Sequence, residues 1–475
     1  MKGFKSRPAV GAGIALAIAA GGCSGGGAGE GTNTSELRPE LGENLPGGET
    51  TNVLLFGGKA FTRAAENVTP EHERSFFTGN SFFNSSWVQA PASTTARDGL
   101  GPLFNARSCS TCHFEDGRGR PPLNDDEEFS SMLLRIGTGA LDDDGTPEGD
   151  PNYGGQLQPF AIAGVSGEGT PRHVCSSSPG TFADGETYEL LAPSYWIEAG
   201  AYGGSAGELA LSPRVAPQMI GLGLLEAIPE ERLRELEDPD DLDGDGISGR
   251  LNVVLEVETG SYVVGRFGWK SEQPSVRQQS AGAFNGDIGI TSSVFPYEDC
   301  TPAEAECASA QTGGDPEASD TVLDAVAIYS RLLAPPARAR YADQAVLEGK
   351  ALFSELGCDS CHTPKHETGP SDLEELGGQT IWPYTDLLLH DMGEALSDER
   401  PSFDALGSEW RTPPLWGIGR IPEVNGHDRL MHDGRARGVA EAILHHGGEG
   451  ASARDAFSAL SSDQRAKVVE FVESL

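Results

Sequence analysis

The chain is 475 residues long, enough for two or three domains with cores of their own. Its 63 glycines and 31 prolines demand much loop, and 72 acidic against 34 basic residues give a formal net charge of −38. Such a surface argues against nucleic acid as a partner; it attracts a basic partner protein or simply keeps an exported protein soluble.

The first element in chain order is an export signal. Lys2, Lys5 and Arg7 precede an apolar run from Ala9 to Ala20 that is too short to span a bilayer as a stable anchor. Ala20-Gly21-Gly22-Cys23 then has the small-residue approach of a bacterial lipoprotein cleavage box, with Ala20 where a larger aliphatic residue is usual. Residues 1–22 are therefore expected to be removed, and a lipid on Cys23 to anchor the protein to the membrane in the periplasm or cell envelope. The Gly-, Glu- and Thr-rich stretch 23–50 reads as a flexible tether.

Residues 51–335 are expected to form an N-terminal haem domain. Its first signal is LFNARSCSTCHFEDGRGRPP, from Leu103 to Pro122, which contains Cys109, Cys112 and His113 as C-x-x-C-H. Cysteines at this spacing can bond to the two vinyl groups of a haem while the adjacent histidine ligates the iron. C-x-x-C also serves in dithiol redox pairs and as half of a zinc site. This copy lies in no βαβ pattern, and no second ligand pair stands at zinc spacing nearby. Further along, Asp241, Asp243 and Asp245 alternate ahead of Gly246, with Ile247 offering a backbone carbonyl, as in calcium loops. Asn252 stands where an EF-type loop has its bidentate glutamate, so a solvated acidic turn is the alternative to calcium. Cys300 and Cys307 flank a short loop and suggest a local disulfide, which leaves Cys175 without a partner.

Residues 340–475 read as a compact class I cytochrome c domain. A helix carrying Gly349-Lys350-Ala351-Leu352-Phe353 ends at Gly357 and leads into a second C-x-x-C-H, Cys358, Cys361 and His362. Two such motifs in an exported chain point to two covalently bound haem c groups. The spacing of Val439, Ala442 and Ile443 predicts a helix over Gly434–Gly447. The closing DQRAKVVEFVESL places Val468, Val469, Phe471 and Val472 on a stripe that can dock on the Gly349 helix. The expected fold class is mainly α, two cytochrome c-like domains, the first enlarged by loops and short strands.

The stretches FNARSCSTCHFEDGRGRPP, DGDGISGRLN, VGRFGWK, GDIGITS, LLLHDMG, TPPLWGIG and MHDGRARGVAEAILHHGGEG resemble the bacterial dihaem cytochrome c peroxidases and the dihaem enzyme of methylamine utilisation. Within that group the chain is most similar to the dihaem "thiol oxidoreductase-like" peroxidases, from about Leu100 to Leu475. The resemblance implies that the haem on His362 receives electrons from a small redox protein, a cytochrome c or cupredoxin, and has a second protein ligand. That ligand corresponds to His446, with His445 and Met392 as competitors. The relatives carry methionine there, and histidine should lower the potential. The same resemblance makes Trp269 the relay between haems, Gln279 a distal amide and Asp287 a distal acid at the haem on His113. No histidine stands shortly before Ser212–Pro217, so that iron is expected to be open to hydrogen peroxide or weakly capped by Met132 or Met219. In the relatives a calcium ion also sits between domains. The implied function is a haem-dependent peroxidase-type oxidoreductase. The alternatives are a dihaem electron-transfer cytochrome and an oxidase of an external protein or organic substrate.

Overall fold

Two pairs of helices, each crossing at a glycine, frame the fold. The computed structural model describes residues 37–475 apart from 55, 125, 126, 199 and 206. The expected export signal and Cys23 lie outside the described residues, among which no helix is long and apolar enough to cross a membrane. The elements that position the site are α1 (Pro70–Asn84), α2 (Cys109–Cys112), β1 (Met132–Gly137), β2 (Thr170–Thr181), β3 (Thr187–Glu198), β4 (Ala210–Val215), α3 (Val276–Ile288), α4 (Asp320–Arg331), α5 (Gln344–Glu355), β5 (Leu389–Asp391), β6 (Glu409–Arg411), α6 (Gly438–Leu444), α7 (Ala451–Ala459) and α8 (Ser462–Glu473).

The first crossing is α1 on α4. Thr69 caps α1 by accepting the His72 N–H, and Pro70 occupies its first turn, where no N–H is needed. A Cβ on Gly79 would lie 1.9 Å from the Ala325 carbonyl oxygen, so the two backbones touch where only glycine fits. The second crossing, α5 on α8, repeats this: a Cβ on Gly349 would lie 2.0 Å from the Lys467 carbonyl oxygen. Four residues after each glycine comes a phenylalanine. Phe83 packs 5.1 Å from Tyr329 and 6.1 Å from His113; Phe353 packs 5.2 Å from Phe471 and 6.1 Å from His362. Both haem motifs thus sit under the same kind of crossing. Sequence reading found only the second, although Gly79-Asn80-Ser81-Phe82-Phe83 was the available signal for the first.

The terminal helix forms as its pattern predicts. Ser461 and Gln464 make a capping box, and Val468, Phe471 and Val472 are buried. Gly357, in the left-handed region at φ 77°, ends the chain's run out of α5. Two expectations need correction. The helix expected over Gly434–Gly447 spans only Gly438–Leu444, because Arg429–Leu430 pairs with Ala436–Arg437 and Met431 and Gly434 turn the chain at φ 71° and 70°. The fold class is mixed rather than mainly α. Antiparallel pairs β1–β4, β2–β3 and β5–β6 carry much of the site's scaffold, and β2 and β3 run for 12 residues each. Their Thr, Val, Ser, Tyr and Trp content favours the extended ribbon, and Gly185 at φ 90° lets it turn back.

The end of the expected tether is packed. Glu43 is fully buried and pairs with Lys350 and Arg338, and Trp382 N–H donates to the Pro46 carbonyl at 2.8 Å. The Cys300–Cys307 disulfide is formed, and Cys175 is a free, exposed thiol on β2.

Gly79→Ala and Gly349→Ala should each cost about 1–3 kcal/mol, because neither backbone contact can yield to a methyl group. Thermal melts provide the check. Gly155→Ala, where nothing lies within 4 Å of the added carbon, should leave the melting temperature unchanged.

Candidate functional site

One cavity of about 830 Å³ is lined by both C-x-x-C-H motifs. At the first, the single turn α2 presents Cys109 and Cys112, and His113 follows. The His113 Nδ1–H donates to the Pro217 carbonyl at 2.8 Å. At the second, the His362 Nδ1–H donates to the Tyr384 carbonyl at 3.0 Å. A carbonyl can only accept, so each bond assigns the proton to Nδ1 and leaves Nε2 as a bare lone pair. Burial pushes both imidazoles down to about 4, which keeps them neutral, the form that ligates metal. After burial, the next influence on His362 is His446. His446 lines the same cavity, and its Nδ1–H donates to the Ala442 carbonyl at 2.8 Å, so its Nε2 is also bare. Of the competitors, Met392 lines the cavity, while the His445 Nε2 lies 3.8 Å from the Glu441 carboxylate.

Burial raises the motif cysteines, with Cys109, Cys112 and Cys358 reaching about 12. Asp287 is the next cause at the first two. These are neutral thiols, unlike the low-pKa thiolates of dithiol redox motifs. Around the first motif the cavity wall includes Trp269, Gln279, Asp287, Met132 and Met219. The Asp287 carboxylate accepts from Gln156 Nε2 at 2.8 Å. Burial raises its pKa against the opposing pull of Arg135 and Gln156. Gln156 was not foreseen; it arrives on a loop beside β1 and carries no sequence signature.

Arg135, Arg214, Arg400 and Arg411 also line the cavity. Arg214 pairs with Glu272, yet its Nη2 is buried with no partner. An orphaned guanidinium nitrogen in a mostly apolar cavity suits the carboxylates that a haem carries. Paired thiols, bare imidazole nitrogens, room and buried cations together fit two haem groups.

The same cavity is lined by a group of packed aromatic side chains, of which the sequence indicates Trp269 alone. Trp269 Nε1–H donates to the Val215 carbonyl at 2.9 Å, and its ring lies 6.5 Å from His432. His432 stacks on Trp410 at 3.7 Å with 8° between planes. The buried Lys270, paired with Asp398 at 3.1 Å, sits 4.2 Å over the Trp410 ring. Trp410 immediately precedes Arg411 and the TPPLWGIG stretch, and His432 belongs to MHDG; both were visible as residues but not as a stack.

In the acidic loop, two of the expected calcium ligands come together with a third carboxylate. Asp238, Asp241 and Asp243 bring carboxylate oxygens within 4.8 Å of one another. Asp245 and Ile247 line the large cavity instead, and the Ile247 N–H donates to Asp245 Oδ1 at 2.8 Å. Asn252 is buried and bonds the Lys270 and Ser402 carbonyls. Asp238, just ahead of the expected loop, is the added carboxylate.

The family model described as "Di-haem oxidoreductase, putative peroxidase" matches residues 43–137 and 206–475. No curated protein and no solved structure matches the chain.

The Arg214–Glu272 pair generates a pH prediction. Burial pushes Glu272 up, but Arg214 and Arg135 override it and hold the carboxyl at about 2. A depressed acid stabilises the fold above its ordinary pKa and loses that contribution as pH falls toward 2. Arg214→Leu should therefore cost about 3 kcal/mol near neutral pH, by leaving a buried carboxylate uncompensated. The deficit should shrink as pH falls and Glu272 protonates. Denaturant titrations at several pH values would measure it.

Proposed function

Because the chain belongs to the di-haem oxidoreductase family, an oxidoreductase with two haem groups, we propose that it is a peroxidase-type enzyme that reduces hydrogen peroxide at the Cys109–Cys112–His113 site. In this reading both haems are covalently attached, and electrons from a small cytochrome or cupredoxin enter at the Cys358–Cys361–His362 site. The observation that carries it is that one cavity joins both motifs and holds two different groups: His446, with a bare Nε2, whose influence is felt at His362, and Asp287, whose influence is felt at Cys109 and Cys112.

A bound haem would supply one-electron iron chemistry at each motif; the rest belongs to the chain. Pro217 and Tyr384 hold the two proximal imidazoles in one tautomer. Asp287, its pKa raised by burial and its carboxylate held by Gln156, can take a proton from one peroxide oxygen and return it to the other. With two electrons and two protons the products are two waters. Trp269, in ring contact with His432 and through it with Trp410 in the wall of the shared cavity, is proposed as the relay for electrons between the haems. The acidic surface suits a basic donor protein. Calcium at Asp238, Asp241 and Asp243, a lipid on Cys23 and a periplasmic or envelope location complete the proposal.

The holoprotein should gain the mass of two haems that survive acid-acetone extraction. Its spectrum should combine one high-spin and one low-spin iron, with peroxide perturbing the high-spin one. His446→Ala should convert the low-spin iron to high-spin. Asp287→Asn should lower peroxide turnover by roughly 10²–10⁴-fold while leaving both resting spectra in place. Two low-spin irons silent to peroxide, with Met132 or Met219 as the extra ligand, would identify an electron carrier instead.

Chelator should lower the melting temperature and calcium restore it in a concentration-dependent way. Asp238→Asn should abolish that dependence; a melting curve indifferent to both reagents would leave the loop a plain acidic turn.

A further inference from the structure

Residues 138–205 fall between the two family-matched segments, and they contain the β2–β3 ribbon. Strands of this length extend about 40 Å, and a lone two-stranded ribbon is at best marginal in water. It must therefore be held by what it lies on. Near its base, His173 packs 5.7 Å from Phe129 and 6.2 Å from Tyr195. Its tip reaches the last three helices. Phe182 joins a buried cluster with Leu444 of α6, Phe457 of α7 and Val468 of α8. Arg465 lies 3.8 Å over the Phe182 ring and pairs with Asp184 at 2.8 Å and Glu186 at 2.6 Å.

Between base and tip the ribbon grips α6 directly. Leu191 N–H donates to Glu441 Oε1 at 3.0 Å, and Arg437 Nη2 donates to the Glu189 carbonyl at 2.8 Å. The other Glu441 oxygen accepts from the Arg437 N–H and Nε–H, both at 2.7 Å. On its opposite side α6 presents Val439, Ala442 and Ile443 to the haem cavity, and His446 follows just past its end. The turn after His446 is fixed as well, by Glu449 bonding His390 at 2.7 Å and Ser248 at 2.8 Å.

We propose that the β2–β3 ribbon is a brace that holds α6 against the second haem pocket, with Glu441 as the positioning residue for His446. This rests on the reading of His446 as an iron ligand. For His446 to withdraw, α6 must shift, and that would break the Leu191–Glu441 and Glu189–Arg437 bonds and draw Leu444 away from Phe182. The brace therefore keeps small exogenous ligands out of the second pocket and leaves the first as the place where peroxide can enter. The ribbon lies outside the family match, and the helix it grips lies within it.

The test is carbon monoxide binding to the reduced holoprotein. Wild type should take up one equivalent quickly at the open site and a second only slowly, limited by release of His446. Glu441→Ala and Phe182→Ser should each speed the slow phase at least about tenfold, the effect of losing one charge-assisted bond or an equivalent anchor. Haem content should stay at two in both. His446→Ala sets the fast limit. If it accelerates the slow phase while both brace variants leave that phase unchanged, the brace is overturned and the ligand assignment stands. If His446→Ala changes neither spectrum nor kinetics, the ligand assignment fails and the brace with it. Should Glu441→Ala not fold, hydrogen exchange over residues 439–446 in Phe182→Ser decides the matter: faster exchange than wild type supports the brace, and equal exchange overturns it.

Discussion

A histidine that must bind metal through Nε2 has to commit Nδ1 to a protein acceptor, and both motif histidines do so through backbone carbonyls. Much of the architecture follows from presenting those carbonyls. Pro217 lies just beyond β4, so pairing of β4 with β1 places it over α2. Tyr384 aims its carbonyl at His362 from a left-handed backbone, φ 55°, which costs a non-glycine residue of order 1 kcal/mol. That cost is offset by burial: the Tyr384 ring packs against Phe353 and Phe471, inside the crossing that Gly349 permits. The helix crossing and the ligand orientation are thus one constraint seen from two sides.

The two halves share this frame and differ in what faces it. Phe83, Tyr329 and His113 repeat the arrangement of Phe353, Phe471 and His362. Into the shared cavity α6 and its following turn bring His446, and α3 brings Gln279 and Asp287. A repeated frame with different side chains around it is how one fold can surround two similar groups with different chemistry. Trp269, His432 and Trp410 come from separate segments and pack on one another, within a single unit from Arg38 to Leu475.

The cavity's charges follow the same logic. Guanidiniums in a mostly apolar space are costly unless paired. Arg214 has Glu272, and behind the wall the Lys270 ammonium has Asp398 together with three backbone carbonyls. The Arg214 nitrogen left without a partner is therefore informative, because it marks where an anionic group from a bound cofactor is compatible with the protein.

What the sequence determined by itself was local. The C-x-x-C-H spacing, the capped and periodic helix α8, the glycine stop after α5 and the Cys300–Cys307 loop each depend on residues a few positions apart. Only the tertiary structure decided the rest. The equivalence of α1 to α5 was hidden because a long insertion separates Phe83 from Cys109, whereas Phe353 stands close to Cys358. That His446 lines the cavity while His445 lies against Glu441 depends on how α6 packs, which adjacent residues cannot reveal. The Trp410–His432 stack joins residues on different segments through a contact with no sequence period. Asp238 comes within 4.8 Å of Asp241 and Asp243 through the folding of the loop, a proximity that the alternating pattern of Asp241, Asp243 and Asp245 does not show. Local chemistry is written in neighbouring residues, but which surfaces meet is set by the packing of the whole chain, and no single segment encodes it.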